Sequence, residues 1–127
     1  MNVRAMVYGT CLLTMAVAPA TFVTAHEPLS IRVSPAVAFA PANLIIQTRI
    51  DPDSYNRALE VVAESEDFYR SSTVPLEGDR APKTTRFEFR SLPPGEYEVR
   101  ASVIGADGQP TAIARTKAHV VETGSSR

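Results

Sequence analysis

The side chains able to do chemistry are few. The chain has two histidines, His26 and His119, a single cysteine, Cys11, and no tryptophan. A cut after Ala25 would make His26 N-terminal, offering both its amine and its ring to copper. A second histidine would have to join it. About eight strand residues at 3.3 Å each would hold His119 roughly 25 Å away, so a copper site within one molecule is not expected. Asp51, Asp53 and Asn56 fall in one loop and Glu64, Glu66 and Asp67 in the next. Oxygen-rich loops can hold calcium, but Asp-Pro-Asp is also ordinary turn chemistry in which carboxylates accept from backbone amides. The Ala58 to Ser65 stretch would also put the two loops at opposite ends of one strand. A Ser-His-Asp set would have to use His26 or His119, neither of them beside a strained Gly-x-Ser-x-Gly turn. No glycine-rich phosphate loop occurs. The expectation is therefore a non-enzyme with no cofactor and no resident metal. A small copper- or calcium-binding protein is the alternative.

The elements that would position these groups begin after an address segment. Arg4 is the one charged side chain before a neutral run from Ala5 to Val23, whose apolar centre includes Leu12, Leu13 and Val17. Pro19 breaks the run and Val23-Thr24-Ala25 offers a small-residue cutting site. These are the marks of a secretory signal peptide over residues 1–25. An uncleaved membrane anchor is the rival, since the segment is about long enough to span. Cys11 precedes the most apolar residues, whereas a lipidated cysteine should follow them. Losing Arg4 takes 13 basic residues to 12 against 14 acidic, a net charge of −2. The exported chain would carry no cysteine and hence no disulfide, and its core alone must hold it. Without a generally basic surface, nucleic-acid binding by bulk electrostatics is not expected. The location is periplasm or medium, with membrane contact only if residues 1–25 remain.

Beyond residue 26 the hydrophobic period is two. Leu29, Ile31 and Val33 alternate with polar residues, and so do Leu44, Ile46, Thr48 and Ile50. The pattern recurs at Leu59, Val61, Ala63; at Thr85, Phe87, Phe89; at Tyr97, Val99, Ala101, Val103; and at Ala112 to Val120. One apolar face per strand implies sheets buried on one side, hence antiparallel pairing. Asp51-Pro52-Asp53, Glu77-Gly78-Asp79, Leu92-Pro93-Pro94-Gly95 and Asp107-Gly108 punctuate the strands. The spacing predicts an all-β, Greek-key antiparallel β-sandwich of about seven strands over residues 26–122, followed by a disordered tail, 123–127.

Residues Phe87 to Gly108, including Phe-Arg-Ser-Leu-Pro-Pro-Gly-Glu-Tyr-Glu-Val-Arg-Ala, resemble a corner of bacterial immunoglobulin-like and fibronectin type III-like domains. The same corner resembles that of carboxypeptidase regulatory-like domains. The resemblance implies a tyrosine corner: Tyr97 bonding back to upstream backbone, Leu92 packed beneath it, and Gly95 closing the turn. It covers about 20 residues. Val99 stands where an antibody-type domain carries cysteine, and no tryptophan occupies the third strand. Such a fold hosts many functions.

A binding surface is the better prospect for function. In Asp67-Phe68-Tyr69-Arg70, one aromatic must point inward and the other outward; the outward one, with Arg70, could anchor a partner. Tyr55 and Arg57 form a second such group on a loop. Arg86, Glu88 and Arg90 are expected to face Glu98 and Arg100 as cross-strand pairs that keep the sheet soluble. The reading is an exported non-catalytic binding or structural accessory module that meets an unknown protein or cell-envelope partner at a sheet edge or end loops.

Overall fold

A computed structural model describes residues 27–124; residues 1–25, read from the sequence as a signal peptide, with Cys11 among them, and His26 and the last residues of the tail lie outside them. The described chain forms eight strands: β1 (Leu29–Ser34), β2 (Val37–Phe39), β3 (Ala42–Ile50), β4 (Asn56–Glu64), β5 (Tyr69–Pro75), β6 (Thr84–Leu92), β7 (Gly95–Gly105) and β8 (Pro110–Val121). A single 3-10 turn, Gly78–Arg80, lies between β5 and β6.

Two sheets face each other. One has the order β1-β3-β6 and the other β2-β8-β7-β4-β5. The chain passes between sheets at β1 to β2, β2 to β3, β3 to β4, β5 to β6 and β6 to β7, and β7 comes to lie between β4 and β8. This is a Greek-key β-sandwich. All pairings are antiparallel except β2 with β8, which run parallel through Val37↔His119 to Phe39↔Val121. The sequence pattern misses β2 because it is only three residues long, between Ser34-Pro35 and Ala40-Pro41. The chain leaves the smaller sheet at Pro35 and joins the larger one two residues later.

The alternating sets lie between the sheets. Leu44, Ile46, Leu59, Val61, Leu92 and Val99 are all fully buried, and Tyr97 is the largest buried side chain. Thr48 occupies an inward position too, and its hydroxyl donates to the Thr85 carbonyl oxygen at 3.0 Å, so its polar atom is not orphaned. Strict alternation would turn Ser91 inward after Phe87 and Phe89. Instead Ala42 pairs with Leu92 and Leu44 with Phe89, which leaves Arg90 and Ser91 opposite Asn43. Ser91 takes a positive φ of 59°, and the Asn43 side-chain oxygen accepts its N–H at 3.0 Å. This bulge adds one residue to β6 and brings Leu92 into the core. Val62 is the other departure: it points to the outer face yet is 1% exposed, flanked in register by Arg100 and Ser71.

The register predicts opposite outcomes for two adjacent, chemically identical residues. Ile46 faces the core and Ile45 the outer surface. Ile46→Ala should cost about 2–5 kcal/mol and Ile45→Ala less than about 1 kcal/mol in urea unfolding. Similar costs at both positions would contradict the register of β3.

Candidate functional site

The end of the sandwich where β6 hands the chain to β7 gathers the sequence-predicted residues Tyr97, Leu92, Gly95 and Arg70. Tyr97 is 1% exposed, and its hydroxyl donates to the Pro93 carbonyl oxygen at 2.6 Å. Its bond is therefore to backbone four residues upstream, across the Leu92-Pro93-Pro94-Gly95 turn. Leu92 is fully buried. A Cβ on Gly95 would come within 3.2 Å of the Ser65 Cβ, so the turn between β4 and β5 seats against this glycine. Ser65 N–H in turn donates to the Phe68 carbonyl at 2.8 Å. Phe68 packs edge-on against the Tyr97 ring, with centroids 6.3 Å apart and planes at 75°.

Burial pushes the Tyr97 phenol above its ordinary value, while the Ser65 hydroxyl and the Arg70 charge pull it back less strongly. The raised value favours the protonated phenol in the folded state. That stabilisation is present below the unfolded pKa, near 10, and is lost as pH rises through the folded value.

Arg70 differs from expectation. Phe68 turns inward and Tyr69 outward, as one of the two had to, but Arg70 does not accompany Tyr69. The register pairs Arg70 with Ala63 and Tyr69 with Glu64, which puts Arg70 on the core side of β5. Its guanidinium lies over the Phe68 ring, 5.1 Å from the centroid, and donates to the Arg90 carbonyl oxygen on β6. It thus ties the edge strand of one sheet to the edge strand of the other. Tyr69 is left 59% exposed beside Glu64.

Tyr55 stays at the opposite end, in the turn between β3 and β4, and Arg57, expected on the loop too, is instead the second residue of β4. Tyr55 lies flat enough on Gly105 that a Cβ there would meet its ring at 2.3 Å. Arg57 donates to the Ser54 and Asn56 carbonyls at 2.5 and 3.0 Å, which commits much of its fork to its own turn. The loop acids behave as turn residues: Asp53 accepts the Tyr55 N–H at 2.8 Å, and the Asn56 amide donates to the Asp51 carbonyl at 3.1 Å. Among the described residues no three His, Cys, Asp or Glu side chains gather closely enough to hold a metal ion. His119 stands exposed on β8, its Nδ1 4.0 Å from a Glu96 carboxylate oxygen.

The outer charges pair differently from expectation. β6 and β7 belong to different sheets, so Arg86, Glu88 and Arg90 cannot face Glu98 and Arg100. Glu88 instead meets Arg90 within β6, while Glu98 meets Arg100 at 3.8 Å and Arg115 of β8 at 3.5 Å. Hydrophobic alternation says which side of a strand a residue takes, not which strand lies next to it.

No protein-family model matches the chain, and no curated protein matches it by sequence. Solved structures do. A superoxide reductase (neelaredoxin) from Ignicoccus hospitalis is similar over 75% of this chain and 80% of its own, with a TM-score of 0.59 and 15% identity. A family 76 glycoside hydrolase from a bovine Bacteroides thetaiotaomicron strain is similar over 76% of this chain but only 21% of its own, at TM-score 0.54 and 16% identity. At these identities the likeness is one of fold, that of a two-sheet β-sandwich.

Two variants test the corner. Tyr97→Phe should cost about 1 kcal/mol at neutral pH and flatten the loss of stability above about pH 10. Unfolding midpoints between pH 7 and 11 measure both, and an unchanged alkaline slope would show that Tyr97 does not titrate as described. Arg70→Ala should cost about 1–2 kcal/mol, whereas Tyr69→Ala, one residue away but outward, should cost less than about 0.5 kcal/mol.

Proposed function

We propose that this chain is an exported, non-catalytic binding or structural module of the bacterial immunoglobulin-like or fibronectin type III-like kind, whose partner docks at a sheet edge. The tyrosine corner and the strand order support that family reading. Export rests on the character of residues 1–25.

The observation that carries the docking reading is the free edge of β5. It has β4 on one side and no strand on the other among the described residues. Its centre, Ser71-Ser72-Thr73-Val74, is uncharged. Its single cation, Arg70, is turned inward to close the seam. Exposed edges present a row of unpaired N–H and C=O groups, and a partner strand satisfies them. Tyr69, outward at the head of this edge, is the side-chain anchor. Tyr55 and Arg57 lie at the other end of β5 from Tyr69, where the Arg57 carbonyl accepts the Leu76 N–H, and act as a separate contact.

The reading is tested by placing a photo-crosslinking residue at Thr73 and, separately, at Asp107 in the β7–β8 hairpin, in the protein's own host. A discrete adduct at Thr73, absent at Asp107 and reduced several-fold by Tyr69→Ala, supports edge docking. No adduct at Thr73, or equal labelling at both positions, removes it.

A further inference from the structure

The outer face of the smaller sheet carries an unusual set of charges. Arg32 of β1, Arg49 of β3, and Arg86 and Arg90 of β6 all point outward there, against one acid on those strands, Glu88; Glu27 and Asp51, beyond the strand ends, line a second depression with Ser30 and Arg49. Glu88 is tied to Arg90. Arg32, Arg49 and Arg86 have no ion pair or side-chain hydrogen bond among the described residues. The register sets Arg32↔Gln47↔Arg86 in one row and Ser30↔Arg49↔Thr84 in the next. Two strand spacings put the ends of each row about 10 Å apart. The register therefore places the three arginines around Gln47, two in its row and one two residues along its strand. A shallow depression, about 410 Å³, opens between Arg32, Gln47, Arg49 and the Ser30 and Thr84 hydroxyls. The other sheet's outer arginines, Arg100 and Arg115, share Glu98, so among the described strand arginines the unpaired ones lie on one face of a protein whose net charge is −1.

We infer that this face binds an anionic polysaccharide, its carboxylate, sulfate or phosphate groups lying along the Arg32, Arg49 and Arg86 triangle. Arginine forks match two-oxygen anions, and the Gln47 amide and the two hydroxyls add donors for sugar oxygens. The face has no exposed aromatic on which single-stranded bases could stack. It lacks the apolar centre that a protein interface needs. Its one apolar outward residue, Ile45, is half-buried, so nothing enters a membrane's acyl boundary. A flexible polyanion requires neither stacking nor an apolar anchor. The site is independent of the β5 edge.

The test is calorimetric titration of the full chain, at low salt, with polygalacturonate and with heparin. Binding to at least one of them, weakened by added salt, is expected. The triple variant Arg32→Ala, Arg49→Ala, Arg86→Ala should lose about tenfold in affinity, since each exposed charge contact contributes a modest factor. All three side chains are exposed, and an unchanged unfolding midpoint shows that the fold is kept. Arg115→Ala and Tyr69→Ala should leave glycan binding unchanged. No binding by the parent chain, or an equal loss in Arg115→Ala, overturns the site. Equal or tighter binding of polyglutamate, oligothymidylate or phosphatidylglycerol vesicles through the same arginines overturns the polysaccharide assignment.

Discussion

The burial of Tyr97 is the constraint on which one whole end of the sandwich depends. The side chain enters the core where the chain crosses from one sheet to the other, a place where backbone groups leave their ladders and need new partners. A phenol satisfies both demands, since its ring fills apolar space and its hydroxyl donates to the Pro93 carbonyl. The neighbours follow from this choice. Gly95 must lack a side chain for the Ser65 turn to approach, Phe68 must present its edge to the ring, and Leu92 must be delivered inward by the bulge at Ser91. With no cysteine in the described residues, no covalent brace shares this task.

The two seams between the sheets are finished in different ways. On one side, Arg70 reaches from β5 over Phe68 to β6, so the edge strands are joined by a cation and a carbonyl rather than by a ladder. On the other, β8 is partnered by β2 only over His119 to Val121. The rest of its edge runs beside β1, with a groove lined by Leu29, Ile31, Ala112 and Ala114. The small inward residues Ala112 and Ala114 leave that seam open as a groove beside Leu29 and Ile31. The device that closes the fold at Arg70 leaves the outward side of the same strand to Tyr69.

Much of this was legible in the sequence, and the failures have definite causes. Period two identified the inward sets of six strands, because burial on one face is a local property of each strand. Tyr97 stood out by its place after Leu-Pro-Pro-Gly. The same period also held the answer for Arg70. Counting back from the inward Val74 through Ser72 reaches Arg70, not Tyr69, but a charged residue was assigned outward on type alone. The pairing of outer charges was not legible at all. β6 and β7 are consecutive and joined by a tight turn, which reads as a hairpin, yet the turn crosses between sheets. β2 was missed because three residues carry no period.

The composition argument needs the same refinement. A net charge of −1 excludes attraction by the molecule as a whole, but a sandwich has two outer faces and the sum says nothing about how they share the charge. The strand register decides it. Arg32, Arg49 and Arg86 are spread over 55 residues of sequence, with acids among them, and none looks like part of a basic run. Folding removes the intervening acids to loops and to the other sheet, and brings the three arginines around Gln47. Desolvating such a cluster without a partner would be costly, so the fold leaves it on a flat face in water. A ligand there gains little from shape and most from charge, which favours long, flexible, repeating anions over compact ones.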